Sequence, residues 1–158
     1  MFIALLAAAC TVGCEPLPTY KTIPIVHKDQ HSAAYAWYNY HMDAINNLTP
    51  EQEAMGWIYQ CDEGYFFSDM QVGGLSNTMD PKVNTPQKNC EAMAYMHTHP
   101  DQGSGWTSDL FSPADMRSSQ IWGMYMMAQE NCNLRYTYKH DDHDGELLGN
   151  FIACKGGD

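Results

Sequence analysis

An α/β domain is expected from three features of this 158-residue sequence. Apolar residues fall on one helix face between His31 and Leu48. Beyond them, short aromatic-rich runs bounded by turn residues repeat toward the end of the chain, as strands do. One such run, 91–99, is apolar on both faces at its start, the pattern of a strand covered on both sides. The length favours one domain with a core of its own, so disulfides can strengthen the fold without carrying it. Only 17% of residues are charged and 44% are hydrophobic, which points to a globular rather than a disordered chain.

Taken in order, residues 1–14 open with an apolar run, Met1 to Ala9, followed by Cys10 and Cys14. The run is too short to span a bilayer as a helix. It resembles the apolar part of a secretory signal, with a buried apolar N-terminal strand as the alternative. Small residues before Cys10 and before Cys14 resemble a bacterial lipoprotein cleavage site, which would place a lipid anchor at Cys14 or Cys10. Residues 15–30 hold three prolines and no amphipathic period, so a linker or extended arm is expected there. The folded domain is expected over 31–158.

Within that domain, Ala34, Trp37, Tyr38, His41, Ile45 and Leu48 share a helix face, and Asn46, Asn47 and Pro50 end it. A strand is expected over Glu53 to Tyr59, a turn at Asp62-Glu63-Gly64 and a returning strand from Tyr65. Residues 75–89, rich in Asn, Pro, Asp and Lys, read as a surface loop. Glu91 to His99 is the next strand, followed by a Gly- and Ser-containing loop to Leu110. Ser112-Pro113-Ala114-Asp115 reads as a helix start, with Ser at the N-cap, Pro at the first helical position and Asp at the third. That helix is expected to end near Ser119. Trp122 to Ala128, Leu134 to Tyr138 and Leu147 to Cys154 read as further strands, with His140 to Gly145 a polar turn.

The formal net charge of -11 sets limits on partners. Nucleic acid is not expected, because binding it requires cationic groups that displace phosphate counterions. An anionic lipid surface is disfavoured for the same reason. If Cys14 begins the mature chain, Cys61, Cys90, Cys132 and Cys154 remain. An even number in an exported chain suggests two disulfides with three possible pairings. Cys132 and Cys154 flank the last hairpin region, which favours Cys132–Cys154 with Cys61–Cys90. No C-x-x-C spacing is present, so a cysteine zinc site is not expected.

The chemistry concentrates in Met96-His97-Thr98-His99-Pro100 and Phe111-Ser112-Pro113-Ala114-Asp115. Side chains alternate along a strand, so His97 and His99 project to the same side. Pro100 stops the strand directly after them. A carboxylate from Asp115, in the first turn of the next helix, can complete a His₂Asp set with a fourth position open for water, the form of a catalytic zinc site.

H-x-H-P followed by S-x-x-D resembles the motif of JAMM/MPN metalloproteases. The wider layout over residues 31–125 resembles the JAB-like domains associated with bacterial polymorphic toxins: an Ala-rich helix, E-x-x-G, a hairpin, H-T-H and F-S-x-x-D. The resemblance implies a mixed sheet with flanking helices, of the JAB/MPN, cytidine-deaminase-like architecture. It implies zinc held by His97, His99 and Asp115. Glu53 matches the glutamate that acts on the attacking water, and Ser112 the serine that stabilises the oxyanion. The interval from His99 to Asp115 is longer than is usual in the family, and the extra length falls in the Gly-Ser loop.

Other conspicuous residues have plainer readings. His140 to Asp144 is a solvated hairpin tip rather than a metal cluster, for its spacing does not fold several ligands onto one ion. Met124, Met126 and Met127 are expected to pack a core strand rather than bind copper. His41 is expected to be a hydrogen-bonded core histidine. Two functions follow: an exported, zinc-dependent hydrolase of an amide or isopeptide bond, acting on a peptide or protein such as a peptidoglycan stem peptide; or a non-catalytic JAB-like protein-binding module, which the ten Tyr and four Trp would suit. A zinc deaminase is disfavoured, because neither H-x-E nor P-C-x-x-C occurs.

Overall fold

A computed structural model of the chain describes residues 25–74, 89–101, 108–140 and 142–155. The expected signal segment with Cys10 and Cys14, most of the arm and nearly all of the 75–89 loop lie outside the described residues. Of the arm, residues 25–30 are described: His27 exchanges backbone hydrogen bonds with Tyr65, an isolated bridge that lays the chain on the sheet edge, and Asp29 and Gln30, expected in the arm, already start the first helix.

Helix α1 spans Gln30–Ile45. Asp29 starts it, its carboxylate accepting from the Ser32 N–H at 2.7 Å and satisfying a backbone donor with no helical partner. Ala33, Ala34, Trp37, Tyr38, His41, Met42 and Ile45 are buried, one stripe of the helix turned to the sheet. Strands β1 (Gln52–Cys61), β2 (Gly64–Phe67), β3 (Gln71–Gly74) and β4 (Glu91–His99) follow. The short helix α2 (Pro113–Ser118) then precedes β5 (Gly123–Ala128), β6 (Asn133–Thr137) and β7 (Glu146–Asn150).

These strands form one mixed sheet in the order β2-β1-β4-β5-β6-β7, with β3 also paired to β1. Only β4 and β5 run parallel, and α2 lies in the crossover between them. The α/β class is therefore as expected. Strand β5 is buried along its whole length, and Met124, Met126 and Met127 pack the core as read from the sequence. Ala94 and Met96 of β4 join the core under α1, with Trp37, Tyr38, Tyr125 and Met127. Tyr95 packs on the opposite face with Trp57, Met124 and Met126. His97 and His99 alternate with Met96 and Thr98, so they belong to this second face, away from α1.

Gly56 is needed for packing. A Cβ there would meet the Trp37 indole at 2.6 Å, so the bare backbone is what lets α1 seat its indole on β1.

Three expectations are corrected. Strand β3 was not expected, and pairs Glu53 with Gly73 and Ala54 with Val72 along the edge of β1. The last strand ends at Asn150, not Cys154: its partner β6 begins at Asn133, opposite Asn150, and beyond that point Phe151 turns into the core and Cys154 reaches back to Cys132. His41 is buried but not hydrogen-bonded through Nε2, which faces the Asp69 carboxylate at 3.9 Å.

Two disulfides, Cys61–Cys90 and Cys132–Cys154, close the structure in the favoured pairing. The first ties the end of β1 to the start of β4. The second ties the turn after β5 to the chain beyond β7. Such bonds persist in an oxidising, extracytoplasmic compartment. Among the described residues, no helix is long and apolar enough to cross a membrane.

Candidate metal centre

Strand β4 carries both imidazoles to its C-terminal end, where Pro100 interrupts the ladder. The chain returns at 108–112 and enters α2, whose first turn supplies Asp115. Local chemistry sets that carboxylate: Ser112 Oγ accepts from the Asp115 N–H at 3.2 Å, and Asp115 Oδ2 accepts from the Ser112 N–H at 2.8 Å. This reciprocal box fixes the Asp115 rotamer as well as the helix start.

His97, His99 and Asp115 form a group that can hold a metal ion. The two Nε2 atoms are 3.1 Å apart. Asp115 Oδ1 lies 3.3 Å from His97 Nε2, and Oδ2 lies 3.3 Å from His99 Nε2. Tetrahedral coordination with bonds near 2.0–2.1 Å requires donors about 3.3 Å apart. The two imidazole nitrogens match that spacing, each has its own Asp115 oxygen at a similar distance, and one ligand atom from each of the three residues lies within 4.8 Å of the others, close enough to share one small cation. The donor set, two imidazoles and a carboxylate with two of the three side chains almost fully buried, fits it in chemistry.

The electrostatics point the same way. Burial would raise the Asp115 pKa, but the neighbouring His97 charge and hydrogen bonds from His97, His99 and Ser112 overcome it and hold the carboxyl far below the usual range. Asp115 is thus a standing anion aimed at two imidazole nitrogens.

Glu53 occupies the adjoining strand. Met55 pairs with His97 across β1 and β4, and side chains opposite one another share a face, so Glu53 two residues earlier faces the same way as His97 and His99. Its carboxyl is pushed up to about 7, first by burial and further by Asp115, with His99 opposing. Both neighbours named in that balance belong to the metal group. Ser112 adjoins the group through Asp115, and its hydroxyl oxygen is already an acceptor in the capping box. The structure thus brings His97, His99 and Asp115 into direct contact, ties Ser112 to Asp115 through the capping box, and turns Glu53 to the same sheet face as the two histidines.

The solvated tip at His140–Asp144 is exposed wherever it is described, as read from the sequence, yet it is not detached from the site. His143 Nδ1 donates to the Phe111 carbonyl at 2.7 Å, and Phe111 N–H returns a bond to the His143 carbonyl at 2.9 Å. Beside it, Asp109 takes a two-pronged ion pair from Arg135, at 2.8 Å from Nε and 2.9 Å from Nη2. These contacts pin the segment that leads into α2, and no local sequence pattern announces them.

No protein-family model, curated protein or solved structure matches this chain.

Proposed function

We propose that this chain is a zinc-dependent hydrolase of amide or isopeptide bonds, of the JAB-like type, working outside the cytoplasm. The observation that carries the reading is the cluster of His97, His99 and Asp115, whose facing nitrogens and oxygens lie 3.1–3.3 Å apart, beside a half-buried glutamate on the same sheet face. Zinc held there would supply a Lewis acid and make hydroxide available near neutral pH.

The chain's own groups account for the rest. Glu53, with its carboxyl at about 7, is matched to taking a proton from the attacking water and returning it to the leaving amine. Ser112 Oγ spends a lone pair on the Asp115 N–H and keeps its proton, which it donates toward the oxyanion that develops on the scissile carbonyl. The substrate class is a peptide or protein amide, including the cross-linked peptides of a cell wall. The two disulfides support an exported location, and a lipid anchor at Cys14 or Cys10 would hold the domain at the envelope.

The test is cleavage of lysine-ε-linked and cell-wall stem peptides by zinc-loaded protein and by Glu53→Gln. The expected result is cleavage by the wild type and a loss of at least about a hundredfold in the variant, with zinc retained. Absence of cleavage by the zinc-loaded wild type, or an unaffected variant, overturns the hydrolase reading. The first outcome favours the protein-binding module.

A further inference from the structure

His99 differs from His97 in what its outer nitrogen meets. His99 Nδ1 lies 3.0 Å from the carbonyl oxygen of Ser108. A carbonyl can only accept, so Nδ1 carries a proton, and Nε2 is the nitrogen turned to the metal group. His97 Nδ1, by contrast, is buried with no hydrogen-bond partner among the described residues, and its ring is stacked on Tyr95.

The carbonyl that fixes His99 is itself held. Ser108 is 1% exposed, and its hydroxyl donates to Glu130 Oε2 at 2.7 Å. Glu130 stands just past the end of β5, the strand that pairs with β4 in register His99 to Ala128. One residue further along the returning chain, Asp109 is gripped by Arg135 and Asn133 of β6. The chain between Ser108 and Ser112 is thus fastened to the sheet before it delivers Asp115.

We infer that Ser108 and Glu130 are positioning residues of the metal centre: the Glu130–Ser108 hydrogen bond sets the Ser108 carbonyl, which selects the Nδ1–H tautomer of His99 and aims its Nε2 at the ion. Outer partners of metal-bound imidazoles act in this way, and losing one weakens metal binding by about ten- to a hundredfold. The inference rests on the metal-site reading above and deepens it.

Two measurements test it. Ring ¹⁵N spectra of the metal-free chain, disulfides intact, are expected to show His99 with its proton on Nδ1 in the wild type and a mixture of tautomers in Ser108→Ala and Glu130→Ala. Competition titration with zinc alone is expected to give dissociation constants raised about tenfold or more in each of these variants. The double variant is expected to be no weaker than the worse single one, since both act through one carbonyl. Ser108→Thr and Glu130→Gln keep a donor and an acceptor, and are expected to restore both readings. An Nε2–H tautomer in the wild type, or zinc affinities in both alanine variants within twofold of wild type, overturns the inference. A wild type that binds no zinc overturns the proposed function instead, while the tautomer spectrum still decides the anchoring.

Discussion

The hydroxyl of Tyr38, fully buried in α1, donates to the backbone carbonyl of His97 at 2.7 Å and reaches the Tyr125 carbonyl at 3.1 Å. A single side chain thereby fastens the helix to the two parallel strands under the metal group. Tyr38→Phe keeps the ring and leaves two buried acceptors without it. Chemical denaturation is expected to show a loss of about 1–3 kcal/mol, the usual result of stranding a buried polar partner. A variant as stable as the wild type would mean that the ladder alone satisfies both carbonyls.

Gly56 makes a sharper packing prediction. The motif reading treats E-x-x-G as a unit, but the glycine is explained by the Trp37 indole lying against its backbone. Gly56→Ala is expected to destabilise the fold by about 1–3 kcal/mol, through displacement of α1. Equilibrium unfolding in urea checks this, and an unchanged midpoint would contradict it.

How much of this was legible in the sequence follows from what is local. Strand β4 and helix α2 lie where expected, because alternation, Pro100 and the Ser112–Asp115 box act within a few residues of themselves. The approach of His97, His99 and Asp115 could be anticipated because two same-face imidazoles end a strand and a carboxylate stands in the first turn of the next helix. Strand β3 was not legible: Gly73 and Gly74 have no side-chain pattern, and the pairing with β1 is made by backbone. Nor were Ser108, Glu130 and His143: the Ser108 and Phe111 carbonyls bonded by His99 and His143, and the Ser108–Glu130 side-chain pair, follow from no local residue pattern. The early end of β7 follows from tertiary closure by Cys132–Cys154, which overrides the extended preference of Phe151 and Ile152.

The pH dependence of the metal-free protein carries a sign that identifies Glu53. Its folded pKa, about 7, lies above the ordinary 4.5. Between those values the folded chain binds more protons than the unfolded one, so stability falls as pH rises through that window. Asp115 acts the other way: its stabilisation is present above its ordinary 3.8 and is lost as pH falls below it. Thermal unfolding in chelator is expected to show wild-type stability declining from pH 5 to pH 7 relative to Glu53→Gln. A constant difference between the two across this range would contradict the placement of Glu53.

Cys132–Cys154 closes a loop over 22 residues of sequence separation and pins the end of β7. Replacing both cysteines by serine is expected to cost roughly 2–4 kcal/mol, measured by denaturation with Cys61–Cys90 intact. A negligible change would mean that Phe151 packing alone holds the chain end.

The central claim is that His97, His99 and Asp115 hold one divalent ion. Elemental analysis of the purified chain, after zinc loading and exhaustive dialysis, tests it most directly beside His97→Ala. One zinc per wild-type chain and a clear loss in the variant is the expected result. A wild type without stoichiometric metal, or a variant that retains it equally, would contradict the account.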